Sequence, residues 1–364
     1  MNGKFFDSTD KALSSLCALY SKYGFKQYHM SKFEEYELYV KNKDFLISEN
    51  VITFTDTDGK LLALKPDVTL SIIKNGKDGD GTQKVYYNEH VYRVSKGTRS
   101  FKEFRQVGLE CLGDIDDYAL SEVLLLATKS LETISGDFVL DISHLGVVKG
   151  ILDALNLSET GKKKIIEFLG EKNAHGVCGV CEEENVSETN RELLKKLVTV
   201  YGSPKKVLEE INCLSIDENT KKAIDQLKKI IGALNLMGVA DKIRIDFSVV
   251  NDMNYYNGIV FKGFISGIPT GILSGGQYDN LMCKMGRRDK AVGFAVYLDE
   301  IERLFPEKND FDVDVVVEYT NNANIERINQ TVKKIIDGGE SVLALLKIPK
   351  NLKYKRKIKI EEGV

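Results

Sequence analysis

A chain of 364 residues, 43% hydrophobic and 29% charged, has the make-up of a soluble globular protein, with length for one large domain and something smaller. The formal net charge of -3 gives no global attraction to nucleic acid, and no apolar run reaches the roughly 20 residues of a membrane helix. The N-terminal MNGKFFDSTDKAL lacks the apolar core of a signal peptide, so a cytoplasmic address is expected.

Residues 8–23 repeat Leu13, Leu16, Leu19, Tyr20 and Tyr23 at helical spacing, and Gly24 ends the run. FKQYHMSKFEEYELY reads as extended, then helical. VITFTDTDGKLLALKP is two apolar runs around Asp58-Gly59, a hairpin signal. A short helix is expected over 68–74, after Pro66, with Asp67 near its start. KVYYNEHVYRV and FRQVGLECLG read as strands joined by a basic loop carrying Arg93, Lys96, Arg99, Lys102 and Arg105. Such a pair predicts antiparallel strands with a functional connection. For an arbitrary sequence a charged hairpin is more often merely solvated.

A helix is expected over 117–134 and a strand over 137–143. From about 144 to 236 the pattern is helical, an insertion within a sheet domain. Strands return at 242–249 and 257–265. GILSGGQYDNL follows, then AVGFAVYLDEIERLF as strand and helix. A boundary is expected near Pro306 to Asp310. The remaining stretch has strand–helix–strand order and ends in KNLKYKRKIKI, an edge strand blunted by lysines. The domain expectation is 1–305, then 306–364.

There are six cysteines. Cys17, Cys111, Cys213 and Cys283 are scattered and read as small buried apolar residues. His175, Cys178 and Cys181 lie at i, i+3 and i+6 along one helix face. That spacing suits a metal, but a structural zinc needs a fourth ligand that is not supplied, so core-facing side chains are expected and no metal.

LKPDVT (64–69), the basic loop with its two strands, NYYNGIVF (254–261) and SGGQYD followed by AVGFAVYLDEI (274–301) occur in one order. Together they resemble the catalytic core of histidyl-tRNA synthetases, over about residues 8–305. The resemblance implies an α+β, class II aminoacyl-tRNA synthetase-like fold: an antiparallel sheet flanked by helices, here with a helical insertion and a small C-terminal α/β piece. It implies a histidine pocket in which Asp67 holds the α-amino group beside Thr69, and Arg93 grips the carboxylate. Gln106 and Glu110 share a strand face, being four apart. A carboxylate such as Glu110 suits an imidazole N–H. Tyr255, Tyr256 and Tyr278 correspond to the family's imidazole-side tyrosines, although strand tyrosines are more often core. Arg93, Lys96 and Arg99 are the expected anion-binding residues.

The chemistry the family performs transfers a carboxylate onto the α-phosphate of ATP, and fixed cations stabilise the charge that builds. Of three family arginines Arg93 remains. The second position is Asn251 and the third Glu300, and an adenine-side glutamate is Ser95. Each lost arginine is expected to cost roughly 10²–10³ in rate. HMSKF stands where a motif 1 proline is expected, and the segment after 306 is short for an anticodon-binding domain. This combination resembles the regulatory subunits of ATP phosphoribosyltransferase. That resemblance implies no catalysis and no cofactor. The implied partner is a short-form catalytic subunit, with histidine as effector. It also implies self-association as a dimer within a hetero-octamer, with neither tRNA nor membrane. A divergent synthetase or other class II-type ligase, and a histidine-sensing module for another partner, remain as alternative readings.

Overall fold

The computed structural model describes residues 8–43, 46, 51–76, 79, 81–94, 100–155, 157–250, 253, 255–302 and 311–361. The chain divides into a body of residues 12–304 and a smaller unit of residues 305–364 with 1–11.

The body opens with helix α1 (Ser8–Lys22), whose Leu13, Leu16 and Tyr20 are buried. Strands β1 (Lys26–Gln27) and β2 (Phe33–Glu35) lead into helix α2 (Tyr36–Lys41). β3 (Thr53–Thr55) and β4 (Leu61–Leu64) form the expected hairpin, and with β2 a small antiparallel sheet ordered β2-β4-β3. The turn is held by Asp56, whose Oδ1 accepts from the amides of Asp58 (2.9 Å) and Lys60 (2.8 Å), and Gly59 supplies the φ of +82°. Helix α3 (Thr69–Asn75) follows Pro66 as expected.

The long strands β5 (Gln83–Val94) and β6 (Phe101–Gly113) pair antiparallel from Gln83 with Leu112 to Val94 with Phe101. Helix α4 (Asp117–Ile134) has the expected bounds; Asp116 caps it, accepting from the Ala119 amide at 2.8 Å. β7 (Phe138–His144) is followed by helices α5 (Leu145–Ala154), α6 (Glu159–Gly170), α7 (Ala174–Glu183) and α8 (Glu188–Thr199). Then come β8 (Tyr201–Gly202), α9 (Pro204–Glu210) and α10 (Glu218–Leu236). Ser158, Asn173 and Ser187 cap three of these helices, and Asp217 with Thr220 forms a capping box on α10. The helical insertion is therefore as expected, apart from β8, too short to leave a period-2 pattern.

β9 (Ile243–Asp246), β10 (Ile259–Ile265), β11 (Leu273–Gln277), helix α11 (Asp279–Lys284), β12 (Lys290–Tyr297) and helix α12 (Leu298–Glu302) complete the body. β9 is shorter than the expected 242–249, because Asp246 Oδ1 accepts from the Ser248 amide at 2.9 Å and turns the chain. The main sheet has nine strands in the order β1-β5-β6-β12-β11-β10-β7-β9-β8. From β5 to β7 every pair is antiparallel. The outer pairs β1–β5 and β7–β9 are parallel, so the sheet is mixed rather than wholly antiparallel.

Strand alternation divides the work of this sheet. Val107, Leu109 and Cys111 of β6, with Val292, Phe294 and Val296 of β12, enter the core cluster that also holds Leu120, Val123, Leu124 and Leu131 of α4. The intervening positions, Gln106, Gly108 and Glu110, face the other way.

In the smaller unit, β13 (Val313–Tyr319), helix α13 (Ile325–Asp337), β14 (Val342–Leu345) and β15 (Tyr354–Ile360) build a three-stranded parallel sheet, order β14-β13-β15. β15 is an edge strand carrying Lys355, Arg356, Lys357 and Lys359, as expected.

The cysteine reading needs correction. Cys111 and Cys181 are buried, but Cys213 and Cys283 are exposed, on surfaces where thiol packing decides nothing. His175 is exposed while Cys181 is buried, so i, i+3, i+6 spacing has drifted around α7 instead of holding one face. No metal-holding group of three or more His, Cys, Asp or Glu occurs among the described residues.

Candidate ligand-binding site

The site is built where the start of α3 meets the face of β6. Lys65 is 1% exposed and makes an ion pair with Glu89 of β5. That pair anchors the KPDVT stretch against the sheet. The Pro66 carbonyl then accepts from Arg93 Nε at 3.0 Å. Asp67 Oδ1 accepts from the Leu70 amide at 2.9 Å, so this side chain both caps α3 and borders the site. Thr69 donates from Oγ1 to Glu110 Oε1 at 2.8 Å. Tyr278, at the entrance to α11, donates to the other oxygen, Oε2, at 2.5 Å.

Glu110 is 3% exposed. Burial pushes its carboxyl up to about 8, against the two hydrogen bonds, which favour the ionised form; the charge of Asp67 adds to the rise. The Asp67 carboxyl is also raised by burial, and opposed by its backbone hydrogen bonds and by Arg93. The tyrosine rings pack edge-on and tilted against one another beside this acid: Tyr255 and Tyr256 centroids are 4.6 Å apart, Tyr255 and Tyr278 5.8 Å.

Glycines make the room. A Cβ at Gly293 would lie 1.7 Å from Glu110 Oε2, and one at Gly108 2.5 Å from the Tyr87 hydroxyl oxygen. Gly258 is a close-approach residue: a Cβ there would lie 2.0 Å from Gln277 Oε1, which accepts from the Ile259 amide at 2.9 Å.

These elements enclose a cavity of about 470 Å³, within the range of small-molecule sites. Asp67, Thr69, Arg93, Gln106, Glu110, Tyr255, Tyr256 and Tyr278 all line it. Sequence reasoning missed Tyr87, Met253, Gly293, Tyr297 and Lys163. Tyr87 was available from strand parity, since it shares β5 and its odd register with Arg93. Lys163 comes from α6 of the helical insertion, and no local signal links it to the sheet.

The expected anion residues Lys96 and Arg99 lie outside the described residues, as do Ser95 and Asn251. Glu300 is described: it accepts from Thr270 Oγ1 at 3.1 Å and is not among the residues lining the cavity. Among the described residues the carboxyl groups lining it are Asp67 and Glu110, against the cations Arg93 and Lys163. That set suits a zwitterion with a further polar ring: an acid for an ammonium, cations for a carboxylate, and a buried acceptor between tyrosines for a ring N–H.

A family model described as histidyl-tRNA synthetase matches residues 4–301. Among similar proteins, one of Alkaliphilus metalliredigens named ATP phosphoribosyltransferase regulatory subunit is 29% identical over 288 residues, covering 78% of this chain and 73% of its own. Another of that name, from Oceanobacillus iheyensis, is 26% identical over 327 residues, 86% of this chain and 80% of its own. A solved ATP phosphoribosyltransferase regulatory subunit/histidyl-tRNA synthetase from Bacillus halodurans superposes with a TM-score of 0.83 at 24% identity, covering 99% of this chain and 95% of that one. A chain from an ATP phosphoribosyl transferase complex of Thermotoga maritima gives 0.62 at 19% identity, over 80% and 97%.

Proposed function

We propose, from the premise that this chain belongs to the histidyl-tRNA synthetase family, that it is a regulatory subunit of ATP phosphoribosyltransferase that binds histidine and makes no adenylate. The names carried by its relatives support the regulatory role. The observation that carries histidine recognition is Glu110: a buried carboxylate with a donor already on each oxygen, facing a tyrosine-lined cavity. Its remaining lone pairs accept the imidazole N–H. Asp67 takes the α-ammonium and Arg93 the carboxylate, with Gln106 as a further polar contact. Its partner is a short-form catalytic subunit, and histidine acts by favouring one state of the assembly. A dimer within a hetero-octamer of four and four is the proposed assembly.

Absence of adenylation rests on Asn251 and Glu300, which stand where the family's phosphate clamp has arginines, and on Ser95, which stands for its adenine-side glutamate. The family model favours a second reading, a working but divergent synthetase. Histidine-dependent exchange of pyrophosphate into ATP separates the two. The purified chain is expected to show none while gaining thermal stability from histidine; clear exchange would establish the ligase.

A further inference from the structure

Beside the first cavity, on the same sheet face, lies a second of about 380 Å³. The two share Tyr256, Ser274 and Tyr297, and Ser274 Oγ is hydrogen-bonded to the Tyr297 hydroxyl at 2.9 Å. Register accounts for the lining. Asp141 of β7 pairs with Lys262 of β10 and with Arg244 of β9, and Asp246 is two residues beyond Arg244, so both aspartates project to one face.

Asp246 is fully engaged. Lys172 Nζ lies 2.6 Å from its Oδ2 and 4.1 Å from the Tyr201 ring centroid, and Oδ1 accepts from the Ser248 amide. The neighbouring cations are engaged as well. Arg244 donates to the carbonyls of Asp241 and Ile243, and Lys262 Nζ sits 5.6 Å from the Phe264 ring centroid.

Asp141 differs. It is 7% exposed, lines the cavity, and its Oδ1 has no hydrogen-bond partner. Ser143, two residues along the same face, also has a buried, unpartnered hydroxyl. A buried carboxylate oxygen left without a donor is among the costliest unmet polar groups. Burial and the charge of Asp246 push the Asp141 carboxyl up to about 6, against the opposing charges of Lys172 and Arg244.

We propose that this hollow is a second ligand site that takes a primary ammonium group, which donates N–H to Asp141. An ammonium supplies the missing hydrogen bond and a positive charge that offsets the repulsion between Asp141 and Asp246, whereas a hydroxyl supplies only the first. The donor set does not suit a metal, since no three His, Cys, Asp or Glu groups converge among the described residues. The site is independent of the histidine reading.

The test is thermal unfolding of the whole chain in about 10 mM ethylammonium chloride, against equal sodium chloride and equal tetramethylammonium chloride, which carries the charge without an N–H. Ethylammonium alone is expected to raise Tm, by about 2 °C. Asp141→Asn is expected to lose that rise while keeping the stabilisation by histidine. No rise, an equal rise with tetramethylammonium, or a rise retained in Asp141→Asn would overturn the proposal. Should Asp141→Asn fail to fold, the comparison of the two ammonium salts on the unaltered chain decides.

Discussion

At the scale of single residues, Glu110 decides most. Glu110→Gln keeps the size and one acceptor but cannot ionise when an imidazole N–H is brought against it. Histidine affinity by calorimetry is expected to fall about 10–100-fold, the range for hydrogen bonds to charged groups; an unchanged affinity would remove Glu110 from the site. The same variant reports on pH. The folded-state value of about 8 lies above the ordinary 4.5, so between them the folded chain holds a proton that the unfolded chain has lost. Stability from this group is complete below the ordinary value and is lost as pH rises to about 8. Unfolding measured from pH 5 to 8 is expected to show the unaltered chain losing stability relative to Glu110→Gln. Parallel profiles would contradict the assignment. Much of this chemistry was legible in the sequence, because Gln106 and Glu110 are fixed to one face by strand parity. Gly293 was not, since the need for a missing Cβ appears only when β12 lies against β6 and Glu110.

At the scale of elements, the long hairpin and α4 follow from local pattern and form close to their expected bounds, and the stretch from about 144 to 236 is helical as expected apart from β8. What local pattern does not carry is β8, the end of β9, and the parallel pairing at the sheet's flanks, which arise from contacts distant in sequence. The same holds for α6. Its Ile165 and Leu169 are buried in the main core, which turns Lys163 and Ile166 towards the cavity. The insertion is thus part of the wall of the cavity. Lys163→Ala is expected to weaken histidine binding about 3–10-fold by calorimetry while changing unfolding stability by no more than about 0.5 kcal/mol, as for a surface substitution. Full affinity in that variant would show that α6 only borders the ligand.

At the scale of the whole molecule, feedback is a problem of coupling. Histidine inhibits an assembly only if its affinity differs between active and inactive states, and a tenfold difference corresponds to about 1.4 kcal/mol. The cavity is suited to such a device because residues from α3, β5, β6, α6 and the stretch before β10 all line it, so occupancy ties together elements far apart in the chain. Which surface the proposed catalytic partner would meet is not written in any local motif, because partner contacts leave no period and no spacing. The most direct measurement is the activity of a short-form ATP phosphoribosyltransferase mixed with this chain, titrated with histidine, beside the same mixture made with Glu110→Gln. Both chains are expected to switch the enzyme on, and histidine to switch off only the complex with the unaltered chain. Failure of either chain to stimulate the enzyme, or equal inhibition of both complexes, would contradict it.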